Sequence, residues 1–267
     1  MKKLQLGFTL VEMIMVIVIM GVIGGMVAVF MKSPIDAYLA SARRAGMSDT
    51  ADTALRRMAR DLHKALPNSV LNSNSQCLEL IPTKTGGRYR ASDSNSLVFG
   101  SPVTSFNMLG HNISFAGSPL PADQQIQAND LIAVSNLGFD VGNAYTGGNT
   151  AVVSSVADGS ESTIIMGSKT FPLALASPSN RFQVIPANEN VVAFVCSGGN
   201  LYRSVRTFNA ATCPATGAVL AKDVSSCNFV YAGSDLQRNG LVQLTLQLSN
   251  SGETVSLYQE VHVDNTP

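Results

Sequence analysis

Residues 1–32 read MKKLQLGFTLVEMIMVIVIMGVIGGMVAVFMK, and this stretch decides the fold. Between Phe8 and Met31 the chain carries one charged residue, Glu12. As a helix, about 24 such residues extend for roughly 36 Å at 1.5 Å per residue. That length exceeds the hydrocarbon core of a bilayer, which is about 30 Å thick. The pattern therefore predicts a transmembrane helix over residues 8–33, in contact with the membrane through residues 8–31.

The flanks of the apolar run predict its orientation. Lys2 and Lys3 precede it, and basic residues favour the cytoplasmic side, so the rest of the chain is expected to be exported. A secretory signal peptide would place small residues and a cleavage site after the run. Residues 27–34 read VAVFMKSP and contain no such site. We expect the helix to remain on the mature protein, with one pass through the inner membrane and a periplasmic head.

Glu12 is costly in this position, because a carboxylate within hydrocarbon costs a few kcal/mol on insertion scales. Two simple explanations are open. The side chain could reach the membrane interface, or it could interact with the positive end of the helix dipole. Neither explains the string KKLQLGFTLVE that ends at Glu12.

That string resembles the class III signal of type IV prepilins and of type II secretion pseudopilins. The resemblance implies that a prepilin peptidase/methyltransferase removes leader residues 1–7 by cutting between Gly7 and Phe8 and then methylates the Phe8 amine. It also implies that Glu12 pairs with the Phe8 amine of a neighbouring subunit. Since each charge is costly in an apolar bundle and relieved by the other, the pair would fix the axial register of assembly.

Residues 34–67 predict the second half of the same rod, packed on the head. Apolar residues recur at helical spacing from Ile35, and Pro67 is expected to stop the helix. Pro34 and the glycines of residues 21–25 could weaken it. The basic residues of this half are interpreted as a solvated flank; they are Arg56, Arg57, Arg60 and Lys64.

Residues 68–267 predict a β-rich head, with an irregular insert near residues 100–180 that could be a subdomain or long loops. Short apolar or alternating runs bounded by turn residues predict strands at Cys77–Pro82, Ser96–Phe99, Asp130–Ser135, Arg181–Ile185 and Val191–Cys196. The Gly-Gly turn after Cys196 predicts a hairpin, and alternation in residues 241–248 and 254–263 predicts a second one with a buried face. The fold class is therefore α+β: a long N-terminal helix with an antiparallel β head.

Four cysteines follow the apolar run: Cys77, Cys196, Cys213 and Cys227. An even number in an exported head predicts two disulfides, although buried free thiols are the alternative. Sequence leaves three connectivities open. Proximity in the chain weakly favours the pair Cys213–Cys227.

Catalytic and metal-binding patterns are absent from the sequence. The three histidines, His63, His111 and His262, form no zinc-binding motif, and G-x-S-x-G does not occur. From residue 68 onward there are nine basic and thirteen acidic residues, a net charge of −4, which argues against a nucleic-acid partner. We therefore predict no enzyme activity, no catalytic residue, no cofactor and no metal.

The head also resembles known proteins in residues 181–205, 224–233 and 240–267. These segments are similar to the C-terminal parts of large minor pilins and J-type pseudopilins. The similarity is greatest to minor pilins of mannose-sensitive haemagglutinin (MSHA) pili. The resemblance implies a minor pilin that takes part in initiation and assembly of a type IV pilus near its tip. Its partners would be other minor and major pilins and the inner-membrane assembly platform. A tip adhesin and a minor pseudopilin of a type II secretion system are the alternatives.

Overall fold

The computed structural model describes residues 7–115, 118–176, 179–233 and 239–267. Lys2 and Lys3 of the predicted leader lie outside the described residues. The chain begins with one long helix and continues as a β-rich head in which all strand pairs are antiparallel. The predicted α+β class is confirmed.

The helix, α1, spans Leu10–His63 and has 54 residues, which corresponds to a rod of about 81 Å. It runs through Pro34 without a break, although that proline cannot donate the backbone hydrogen bond of a regular turn. It ends at His63, four residues before the predicted stop at Pro67. After the helix, Leu66 N donates to Ile81 O at 2.8 Å, so the chain is already paired with the head before the proline.

Sixteen strands follow within the described residues. The first eight are β1 Leu71–Asn74, β2 Cys77–Leu80, β3 Thr85–Arg88, β4 Pro102–Met108, β5 Ser114–Phe115, β6 Ser118–Pro119, β7 Leu131–Val134 and β8 Thr150–Ala157. The others are β9 Ser162–Thr170, β10 Arg181–Ile185, β11 Val191–Ser197, β12 Asn200–Arg206, β13 Ala218–Lys222, β14 Val224–Ala232, β15 Asn239–Asn250 and β16 Glu253–Asp264. Three short 3-10 turns lie at Asp140–Gly142, Ala144–Thr146 and Leu173–Leu175.

Two sheets cover the last third of the helix. One has the strand order β1-β2-β11-β12-β13 and the other the order β14-β15-β16. They share a core with the apolar face of α1, which contributes Met47, Ala51, Ala54, Leu55, Met58, Ala59 and Leu62. Burying each large apolar side chain contributes about 1.5–3 kcal/mol, so this shared core fixes the helix to the head.

Both predicted hairpins are present. In the terminal hairpin, β15 and β16 pair along twelve residues, and the inward positions of β15 are buried. Its turn residues Ser251 and Gly252 have φ of 50° and 83°, and Gly198 and Gly199 of the β11–β12 turn have φ of 56° and 76°. Positive φ at both turn positions is the type I′ geometry that matches the twist of a two-residue hairpin.

The segment expected to be irregular forms a second β unit. Six strands pair in the order β3-β10-β7-β8-β9-β4. Residues just beyond β3 then pair with β4, through the bridge between Tyr89 and Met108 and the hydrogen bond from Arg90 N to Asn107 O at 2.9 Å. The six strands therefore close into a small barrel, residues 85–185, which has its own apolar core. Closure removes the open edges that a six-stranded sheet would otherwise expose.

The predicted strand at Ser96–Phe99 is wrong. This stretch has no regular secondary structure, but Leu97 is buried and Phe99 packs against the barrel core. The ring of Phe99 lies 5.9 Å from that of Tyr89 and 6.2 Å from that of Phe171. Two of the apolar residues that suggested a strand, Leu97 and Phe99, therefore pack in or against the barrel core.

The barrel is attached at the C-terminal end of α1. Thr83 N, just before β3, donates to Lys64 O at 2.8 Å, and Ala65 forms a bridge with Pro82. The sheets that flank the helix pack on it through β13, β15 and β16. The barrel thus lies at the end of the rod remote from the apolar N-terminal half.

Both predicted disulfides are present, but the favoured pairing is wrong. The bonds join Cys77 to Cys213 and Cys196 to Cys227. Proximity in the chain misled the prediction because strand pairing decides which cysteines meet. Cys77 is the first residue of β2 and Cys196 the last but one of β11. The two bonds therefore join this pair of neighbouring strands to the loop before β13 and to β14.

Candidate functional site: the N-terminal junction and the exposed helix

Gly7 and Phe8, at the predicted processing junction, lie outside regular secondary structure and are exposed. Gly7 and Phe8 precede the helix, and 80% of the Phe8 surface is exposed. A Cβ atom added to Gly7 would meet nothing within 4 Å. The fold of the chain therefore sets no steric requirement for glycine here, so a need for a small residue would have to come from an enzyme that binds this segment.

Thr9 starts the helix, a feature that sequence reasoning missed. Its side-chain Oγ1 accepts a hydrogen bond from Glu12 N at 3.3 Å, and its carbonyl accepts from Glu12 N and Met13 N at 3.1 and 3.2 Å. Thr-x-x-Glu is the sequence of a capping box, so the spacing of Thr9 and Glu12 could have revealed the cap. The cap fixes the helix start two residues after Phe8.

Glu12 lies in the first turn of α1, where the helix dipole favours a negative charge. Its backbone N–H takes part in the cap, but in the described part of the chain no donor contacts its carboxylate. The residue is exposed. The carboxylate is therefore open to a cation from outside this chain.

The N-terminal part of α1 extends away from the head. Every residue from Gly7 to Leu39 is exposed, and the first buried helix residue is Met47. Residues 10–39 correspond to a projecting length of about 45 Å, and the first ion pair with the head is that of Arg44 with Glu253 at 3.2 Å. The helix is long and apolar enough to cross a membrane, with a mean hydropathy of 2.8 in its most apolar window. This exposed apolar rod needs a lipid or protein environment to cover it.

The basic flank of the helix is largely solvent-facing. Arg56 forms an exposed i, i+4 ion pair with Asp52 at 2.7 Å, and the hydrogen bond and charge of that carboxylate raise the pKa of Arg56. Arg60 and Lys64 are exposed, whereas Arg57 is half-buried beside Asp61. The flank offers no continuous basic surface.

The Cys77–Cys213 bond lies beside a buried ion pair that the sequence did not reveal. Arg206 Nε and Nη2 donate to the two carboxylate oxygens of Glu79, both at 2.8 Å, and Cys213 N donates to Glu79 Oε1 at 2.9 Å. Hydrogen bonding to Glu79 raises the pKa of Arg206. Cys77, Glu79 and Cys213 lie close enough to resemble a metal-ligand group. The two sulfur atoms form a disulfide, and the Glu79 carboxylate accepts hydrogen bonds from Arg206. These three residues therefore stabilise the fold and are not free to bind a metal.

The three histidines do not converge. His63 ends the helix, His111 lies in a loop and His262 points outward from β16, and all three are exposed. None of them belongs to a cluster of three or more metal-ligating side chains within the described residues. The structure does not bring these predicted candidates into a common site.

A long exposed apolar helix with an accessible N-terminal junction, followed by a disulfide-bonded β head, is a pilin-like architecture. Comparison with known families supports this class: residues 2–28 match the prokaryotic N-terminal methylation motif. That match indicates a type IV pilin or pseudopilin precursor and suggests a structural subunit that associates with the inner membrane and the pilin assembly machinery. Searches of curated proteins and of solved structures find no match.

Proposed function

We propose that this chain is a minor pilin that takes part in initiation and assembly of a type IV pilus of the MSHA type, as its O-type subunit near the filament tip. The observation that carries the proposal is the combination of the methylation motif at residues 2–28 with an exposed apolar helix. Leader residues 1–7 are removed between Gly7 and Phe8, the Phe8 amine is methylated, and the head faces the periplasm until the subunit joins the pilus.

An electrostatic match drives docking in this account. Cleavage gives Phe8 an ammonium group, and the Glu12 carboxylate has no described partner within its own chain. An unpaired charge in an apolar bundle is costly, so removing one partner of such a pair is strongly unfavourable. Pairing Glu12 with Phe8 of the adjacent subunit therefore favours one axial register. The prepilin peptidase, the assembly platform and other pilins are the partners that this route requires.

The position of the barrel supports a place at the tip. It is attached where α1 ends, about 48 Å along the helix from Met31, at the end remote from the membrane segment. In a filament whose subunits stack along their helices, bulk at this end occupies space that the next subunit would need. The subunit at the filament tip has no next subunit above it, so its barrel meets no such steric conflict. The same steric argument applies to a minor pseudopilin at the tip of a type II secretion pseudopilus. A second candidate role is that of a tip adhesin.

A substitution at Glu12 tests the docking step, with Asp36 as the matched control on the same helix. In cells that lack the chromosomal copy, the Glu12→Ala chain should be processed normally but remain in the membrane. The Asp36→Ala chain should appear in sheared pili at the level of the parent. If Glu12→Ala enters pili as well as Asp36→Ala does, the docking argument fails.

A barrel deletion tests the tip position. Thr85 and Val184 are direct strand partners, so an Asn-Gly turn can replace residues 86–183 without separating the flanking strands. Carrying a C-terminal epitope tag, the parent should label one filament end, and the shortened chain should label along the shaft. Parent label along the shaft contradicts a tip position. Normal pili with lost adhesion in the gene deletion would assign the chain a receptor role.

A further inference from the structure

Two arginines of the barrel lie directly opposite each other on adjacent strands. Arg88 ends β3, Arg181 starts β10, and they are register partners. Both are exposed, whereas Phe182, the next residue on β10, is 1% exposed and points into the barrel. The two guanidinium groups therefore share the outer wall of the barrel.

Strand geometry places these arginines close together. Tyr89 N donates to Asn180 O at 2.8 Å, which makes the neighbouring pair a hydrogen-bonded one. Hydrogen-bonded and non-hydrogen-bonded pairs alternate, so Arg88 and Arg181 form a non-hydrogen-bonded pair with Cβ atoms about 4.5–5.5 Å apart. Like charges directly opposite in a sheet are destabilising. In the described part of the chain neither guanidinium has an ion-pair partner, whereas nearby Arg90 is paired with Glu161.

Glycines keep the surface beside the arginines flat. Gly86 faces outward opposite Gln183, and a Cβ atom there would lie 2.8 Å from the Phe182 carbonyl oxygen. The result is a shallow cleft of about 330 Å³ lined by Gly86, Gly87, Arg88, Arg181, Phe182 and Gln183. The cleft is thus bordered by two arginines and, at Gly86, by backbone that carries no side chain.

We propose that this cleft binds the oxyanion groups of an acidic polysaccharide. A planar guanidinium donates two parallel hydrogen bonds to a sulfate, phosphate or carboxylate group, and an anion between Arg88 and Arg181 relieves their repulsion. The head has a net charge of −4 from residue 68 onward, so its overall charge disfavours a polyanion and the attraction has to come from this arginine pair at short range.

The location favours a ligand from outside the filament over a neighbouring subunit. Arg88 lies four residues beyond Lys84, about 13 Å along the strand from the junction with the helix end. Within the described residues, the barrel strands pack extensively only on one another, whereas the helix packs on β13, β15 and β16. Binding by the purified chain does not depend on assembly; only display of the cleft at a pilus tip rests on the proposed function.

The test is binding of the detergent-solubilised full chain to immobilised dextran sulfate, with neutral dextran as the uncharged probe. The variant is Arg88→Gln/Arg181→Gln, and the control is Arg60→Gln/Lys222→Gln, which removes the same charge from other exposed positions. At about 0.15 M salt, where surface charges are screened beyond roughly 8 Å, we expect the arginine variant to lose at least tenfold in affinity. The control should stay within about twofold of the parent, and neutral dextran should not bind.

Other outcomes decide the ligand and the mechanism. Alginate, a polyuronate, separates carboxylate from sulfate recognition, and tight binding of either polymer through the arginines supports the proposal. Equal losses in the variant and the control, or binding of polyglutamate in place of both polysaccharides, would overturn it. Without ligand, relief of the repulsion should leave the melting temperature of the variant at or above that of the parent. A lower melting temperature would show that the arginines stabilise the wall, contrary to the argument.

Discussion

Replacing Glu79 by Gln should strongly destabilise the head, because it leaves a buried guanidinium without its counter-charge. The side chains of Glu79 and Arg206 are 0% and 4% exposed, and two hydrogen bonds of 2.8 Å join them. Removing one partner of such a buried pair costs about 3–5 kcal/mol. Arg206 Nη1 also donates to the carbonyls of Thr207 and Phe208, which shape the loop leading to Cys213. The variant should therefore also form the Cys77–Cys213 bond less efficiently.

The assay is urea denaturation of the full chain in detergent, followed by circular dichroism. The comparison variant is Glu161→Gln, which removes the charge that pairs with Arg90 in a partly solvent-accessible ion pair. The hydrogen bond and charge of Arg90 lower the pKa of Glu161 in the parent chain. The stability loss of Glu161→Gln should be smaller because the side chains of Arg90 and Glu161 are 30% and 22% exposed, so water can solvate the charge that remains. Glu79→Leu with Arg206→Met should regain much of the stability, since apolar residues replace the pair without leaving a buried charge. If Glu79→Gln costs no more than Glu161→Gln, the reasoning about the buried pair is refuted.

Two further predictions concern alkaline pH and the disulfides. Burial raises the pKa of the Tyr145 phenol, so its contribution to stability is complete below pH of about 10 and falls above that pH by about 1.4 kcal/mol per unit. Tyr145→Phe should remove this fall of the unfolding free energy above pH of about 10, which corresponds to about one proton released on unfolding. An unchanged slope would contradict the assignment. The bonds Cys77–Cys213 and Cys196–Cys227 span 136 and 31 residues, so replacing the first pair by serine should cost about 1.3 kcal/mol more than replacing the second. The reverse order in urea denaturation would refute the loop-length argument.

Local patterns in the sequence predicted the parts of the fold that depend on local structure. The apolar run after Phe8 and the helical spacing from Ile35 gave one helix, and alternation in residues 241–263 gave the terminal hairpin. The turn at Gly198 was equally clear, because a two-residue loop between strands needs positive φ.

Non-local pairing explains what the sequence did not reveal. The barrel closes through Tyr89 and Met108, and such contacts leave no periodic signal in short strands. The same pairing brings Glu79 to Arg206, 127 residues apart, and sets the disulfide connectivity. At the N-terminus the roles of Gly7, Phe8 and Glu12 stay predictions, and the Thr9 cap was missed although the Thr-x-x-Glu spacing is a sequence signal for it.

The mass of the mature N-terminal peptide tests the central claim most directly. Chain purified from its native membrane or pilus should begin at Phe8 and carry one additional methyl group on its amine. A peptide that still contains Gly7 and the residues before it, with an unmodified start, would contradict the account. No ammonium would then exist at Phe8 to pair with Glu12.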